Sequence, residues 1–98
     1  MTYRIVFSEL AELQLADACD YYQSRQHTTL VDDFLNDFYD SIERLKINPN
    51  CRFWTEKHQG LLLNKFPYVV FFRIIEEEKT VKLVSIFNTH QNPDKYPE

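Results

Sequence analysis

The side chains best suited to chemistry lie in the second half of the sequence: Lys57, His58, Lys65, Arg73, His90 and Tyr96. A histidine with an ordinary pKa of about 6.5 can give or take a proton near neutrality, and lysine or arginine can hold a developing anion. Tyr96 can stack on a nucleobase or act as a weak acid. None of these residues has a spacing that indicates catalysis by itself, and His90 needs a positioned partner before it can act as a general acid. Arg73 interrupts an apolar run, so it reaches the sheet surface, pairs with a glutamate or contacts a target. Cys19 and Cys51 stand alone, without CxxC or Cys/His spacing, and are expected to be reduced thiols rather than zinc ligands or a disulfide. No cofactor or metal is expected.

Whether any of these side chains meet depends on the elements that carry them. A length of 98 residues suits one domain, and 44% apolar residues with eight Phe and six Tyr can fill a core without crosslinks. No apolar run approaches the roughly 18 residues of a membrane span, and Met1 to Ser8 carries no long apolar stretch of a signal. A cytoplasmic location is expected. The net charge of −4 is unevenly spread: residues 1–48 hold four basic and nine acidic side chains, residues 49–98 seven basic and six acidic. Such a balance lacks the clustered positive field that counterion release requires, so charge does not favour nucleic acid as the main partner.

Tyr3, Ile5 and Phe7 alternate with Arg4 and Val6, the period of a strand that stops at Ser8. Ser8 suits a helix N-cap, and Ala11, Leu15, Ala18 and Tyr22 make one apolar stripe on a helix from about Glu9 to Ser24. Thr29 and Asp32 resemble a capping box. Val31, Phe34, Leu35, Phe38, Ile42 and Leu45 follow as the buried face of a second helix ending near Ile47, with Asp32, Asp33, Asp37, Asp40 and Glu43 in the remaining positions. Beyond Asn48-Pro49-Asn50 the period changes. Phe53 and Trp54 begin an aromatic strand, Gly60 marks a turn, and Pro67, lacking an N–H, belongs at a strand entry. Tyr68 to Ile75 is almost continuously apolar, as a central strand covered on both faces should be. Glu76 to Thr80 reads as a solvated hairpin connection, and Val81 to Phe87 pairs back. The expected fold is α+β in the order β-α-α-β-β-β, a mainly antiparallel sheet with an α-hairpin packed on one face.

At this level the chain resembles the RelE/ParE toxin superfamily, and within it the ParE-like, plasmid stabilisation branch. The resemblance rests on Phe7-Ser8, on Ala11, Leu15 and Tyr21-Tyr22, and on Phe34, Phe38, Ile42, Leu45 and Pro49. More specific are the run from Phe66 to Arg73 and the tail from Asn88 to Tyr96. It implies the toxin of a type II toxin–antitoxin system, whose antitoxin lays a helix and an extended segment across an apolar groove and sheet edge. Two departures remove guanidinium groups suited to phosphate: Gln59 to Asn64 contains no arginine, and Gln91 stands where relatives carry one. These losses lean towards a ParE-like toxin that blocks DNA gyrase by binding. A RelE-like mRNA endoribonuclease acting on the ribosome would instead use His90 with Lys57 or Lys65 as catalytic residues. A module that binds antitoxin without toxicity is a third reading. The target-binding candidates are Arg73, Gln91, Tyr96 and Tyr68. Parallel strands, or helices on both sides of the sheet, would count against the resemblance.

Overall fold

The computed structural model describes residues 2–24, 29–53 and 55–90. Its elements run β1 (Arg4–Phe7), α1 (Glu9–Gln23), α2 (Leu30–Ile47), β2 (Gln59–Leu62), β3 (Tyr68–Ile75) and β4 (Thr80–Asn88), with one 3-10 turn at Glu76–Glu78. Ser8 starts α1 as expected: its Oγ accepts from the Ala11 N–H at 3.0 Å, satisfying one of the donors that a helix start leaves open. Thr29 departs from expectation. It has helical backbone angles and makes no side-chain cap, so the Asp32 capping box is not formed. No helix of the described residues is long and apolar enough to cross a membrane.

The strand order is β1-β4-β3-β2. β2, β3 and β4 form an antiparallel meander, but β1 pairs with β4 in parallel, so the sheet is mixed. Periodicity gives an element's type and not its direction. The α-hairpin and the 48–58 connection together return the chain so that β1 and β2 point the same way at opposite edges, and β4 then meets β1 head to head. Gly60 is a second correction. It is not a turn residue but a buried member of β2, opposite Phe71, and no glycine has positive φ among the described residues. The absence of a Cβ there leaves room for the facing phenylalanine. Phe53 contributes one isolated bridge to Gln59 rather than a strand, and Trp54 lies outside the described residues.

Alternation along β3 separates two clusters. Tyr68, Val70 and Phe72 pack with Val81, Leu83 and Ile86 of β4 against Ala11, Ala18 and Tyr22 of α1 and Phe34, Phe38, Ile42 and Leu45 of α2. Both helices therefore cover one face. Val69, Phe71 and Phe87 make a smaller buried cluster on the other. Where β1 ends, β4 carries a bulge between its partners for Phe71 and Phe72, and α1 supplies what the lost neighbour would have given. The Ser85 hydroxyl (3.0 Å) and the Ile86 N–H (2.7 Å) both donate to Gln14 Oε1, and the Ser8 hydroxyl donates to the Val84 carbonyl at 2.8 Å.

Asp37 departs as well, from the polar face that helical periodicity gives it. It lies on the buried side of α2, only 5% exposed. Its Oδ1 accepts from the Asn64 N–H at 3.2 Å, and its Oδ2 from the Lys65 and Phe66 N–H groups at 2.8 and 2.9 Å. A carboxylate satisfying three backbone donors is a charge-assisted clamp. Replacing Asp37 with Ala strands those donors, and the expected loss of folding stability is about 2–4 kcal/mol, with Asn in its place losing less. Chemical denaturation of the three proteins measures this, and a loss under about 1 kcal/mol for the alanine variant contradicts the clamp.

Candidate functional site

The face of the sheet away from the helices carries a row of polar side chains. Arg73 pairs with Lys82, and Lys82 with Val6, while Gln59 opposite Phe72 sets His58 beside Arg73. Side chains in such a row point the same way because strand residues alternate faces and lateral partners do not. Lys57 and His58 reach the row from a turn held by Thr55, whose Oγ1 accepts from the Lys57 N–H (3.3 Å) and the His58 N–H (3.0 Å), while its own N–H donates to the His58 carbonyl (3.3 Å). Together Ser8, Lys57, His58, Arg73, Lys82 and Val84 line a concavity of about 530 Å³.

The electrostatics of this concavity are one-sided. Among the described residues no carboxylate lines it, and the ion pairs found among them, Arg4–Glu78, Lys46–Glu43 and Lys79–Glu76, lie elsewhere. His58 is 6% exposed, and its Nδ1 is sealed from solvent without a hydrogen-bond partner. Burial, then Arg73, then Lys57, push its pKa below the usual histidine value. Arg73 and Lys82 could have been matched from the sequence: each is the one basic residue in its strand, and a hairpin closed by Glu76–Lys79 aligns them. His58 carries no such signal, because its burial comes from non-local packing.

The other candidates are dispersed. Lys65 sits in the turn clamped by Asp37, with its side chain exposed. His90 follows β4, exposed, its N–H donating to Asn88 Oδ1 at 2.8 Å, next to Thr89, whose N–H bonds the Pro67 carbonyl at 2.8 Å. Both therefore lie at the Tyr68 end of β3, whereas Lys57 lies at the Arg73 end, roughly 16 Å away at about 3.3 Å per strand residue. Tyr68 is buried, its ring packed on Phe34 and Tyr22 at centroid distances of 5.2 and 6.2 Å. Its remaining surface lines a groove with Gln14, Asp17, Ala18, Tyr21, Ile86 and Asn88. Gln91 and Tyr96 lie outside the described residues. Cys19 and Cys51 are free thiols held above their usual pKa by burial, and no group of metal-ligating side chains is found among the described residues.

A family model for the ParE toxin of type II toxin–antitoxin systems, parDE, matches residues 5–93. No curated protein matches the sequence. Among solved structures, the chain is similar to one from the chromosomal ParDE toxin–antitoxin system of P. aeruginosa, with TM-score 0.75 and 16% identity over 90% of this chain and 97% of that one. The isolated E. coli RelE toxin gives TM-score 0.55 and 15% identity, covering 94% and 89%. The archaeal RelE–RelB complex from Pyrococcus horikoshii OT3 gives TM-score 0.55 and 15% identity, covering 94% and 100%. At such identities the likeness is one of fold; the mixed sheet with both helices on one side belongs to it, so, contrary to expectation, the parallel β1–β4 pair does not count against the resemblance.

His58 makes stability depend on pH. Its folded pKa is depressed, so below about 6.5 the unfolded chain binds a proton that the folded chain refuses. Stability therefore falls as pH drops through that range and levels off below the folded pKa. Urea denaturation between pH 8 and 5 should show this slope, and replacing His58 with Gln should remove its share; an unchanged slope in that variant contradicts the assignment.

Proposed function

The chain belongs to the ParE toxin family of type II toxin–antitoxin systems, and on that footing we propose that it disables DNA gyrase by binding it rather than by cutting a substrate. The family match over residues 5–93 carries this reading. Binding needs a complementary surface and no acid or base. The separation of Lys57 from Lys65 and His90 supports it, since acid–base cleavage requires its groups within hydrogen-bond reach of one reacting centre.

As a toxin of such a system it has an antitoxin for its protein partner. The surface that suits an amphipathic helix is the outer side of α1, where Leu10 and Leu13 are exposed beside the groove lined by Tyr21, Ala18 and Ile86. The outer edge of β1, and that of β2 beyond Gln59 and Gly60, which Arg52 and Phe53 cover, offer backbone groups to an extended segment.

One observation favours a second reading, RelE-like cleavage of mRNA on the ribosome: Lys57, His58, Arg73 and Lys82 converge on one concavity, a setting able to stabilise a phosphorane. Induced expression without antitoxin should arrest growth and the purified chain should inhibit supercoiling by gyrase. Ribosome-dependent mRNA cuts with normal supercoiling would replace the first reading with the second. Normal growth with retained antitoxin binding would leave an interaction module.

A further inference from the structure

We propose that the concavity between the Thr55–His58 turn and the Arg73–Lys82 pair is a binding site for a small dianion of the phosphomonoester class, which enters together with a proton taken up by His58. The proposal rests on the gyrase-binding reading, because on the RelE-like reading the same concavity would hold the mRNA phosphate.

Three fixed cations, Lys57, Arg73 and Lys82, line the same space, and no ion pair of the described residues neutralises any of them. That is more positive charge than one carboxylate or one phosphodiester can balance. Ser8 contributes no free donor, because its hydroxyl already donates to Val84 and accepts from Ala11. The guanidinium can meet two oxygens of a tetrahedral anion at once, and the lysines act as point charges on the others. His58 lines the same space, and its buried Nδ1 has no hydrogen-bond partner, an unsatisfied polar atom that is costly to keep.

Size and surroundings argue for a compact anion over a polymer. The cations converge on one pocket instead of forming a track. The net charge of the chain is −4, and the helices carry most of its acids. A long nucleic acid would gain from few phosphates and be repelled beyond them.

The proton follows from the same groups. The charges that line the space with His58 are Lys57 from its own turn, Arg73 from β3 and Lys82 from β4, all positive, and burial, then Arg73, then Lys57 push the imidazole pKa below its usual value. A dianion among them reverses the local field and makes a second ring N–H favourable. Binding then takes up a proton, so affinity rises as pH falls towards the titration range of the empty site and levels off below it.

Sulfate, which stays a dianion throughout, and inorganic phosphate can be titrated into the full chain between pH 8 and 5.5 at fixed ionic strength, following the His58 ring and Arg73 side-chain NMR signals. Saturable binding is expected, with sulfate tightening by up to about tenfold per pH unit at the steepest point. Arg73→Gln, or Lys82→Gln should the first variant fail to fold, weakens it at least about tenfold. His58→Gln still binds but loses the pH slope. Absence of saturation, indifference to both charge variants, or a retained slope without His58 overturns the proposal. So does far tighter binding of a single-stranded oligonucleotide with the salt dependence of many phosphates, which would make the pocket part of a nucleic-acid track.

Discussion

The fold turns on one buried carboxylate. Asp37 projects from the middle of α2 and gathers the N–H groups of Asn64, Lys65 and Phe66. Those residues form the turn that must deliver the chain from an edge strand into the centre of the sheet. Without the clamp, three backbone donors would face a protein interior, where each uncompensated group costs more than an ordinary hydrogen bond returns. With it, Phe66 is set against Tyr22 and Phe34 at centroid distances of 5.1 and 5.4 Å, and Pro67 enters β3. Ser41, one turn along α2, and Arg44 extend the tether: Arg44 Nη2 donates to Ser41 Oγ at 3.0 Å and to Asn64 Oδ1 at 3.5 Å.

This anchoring explains how so few residues keep two different faces. The helix side of the sheet is an aromatic core in which Tyr22, Phe34, Phe66 and Tyr68 meet edge-on or tilted, geometries that ring quadrupoles favour. Because that side supplies most of the burial, the other side is free to hold charge. Val69, Phe71 and Phe87 give it a small dry patch, and beyond them Arg73 and Lys82 stand on strands whose register is fixed by the core, with His58 beside them from the Thr55 turn. A cation cluster held by a rigid sheet keeps its spacing, whereas the same residues on a loop would move apart to relieve repulsion.

Much of the fold could be read from residue order alone, and the failures share a cause. The stripe in α1, the ends of α2, the limits of β3 and the solvated glutamates of the hairpin are local patterns, and each is found where periodicity puts it. Asp37, Gly60 and the direction of β1 are decided by what lies opposite them in space, tens of residues away. Asp37 occupies a polar slot in the helical pattern, and nothing nearby announces that three N–H groups will come to it. The site divides in the same way. Arg73 was visible as a charge in an apolar run, while the burial of His58 depends on the pairing of β2 with β3.

The parallel strand shows why composition misjudged the electrostatics. Counting charges along the sequence finds an acidic chain with no basic block. The meander folds Lys57, His58, Arg73 and Lys82 from three separate segments onto one side, while the acids of α1 and α2 other than the buried Asp37 line the outer helical surface. β1 closes this arrangement by taking the open edge of β4 with Val6 next to Lys82, and its end at Phe7 lets Ser8 bind the bulged Val84. The positive field is thus a product of strand order, and averaging over sequence halves removes it. A molecule with such polarity presents a partner with an orientation before any contact forms, since fields of opposite sign on opposite faces steer an approaching surface.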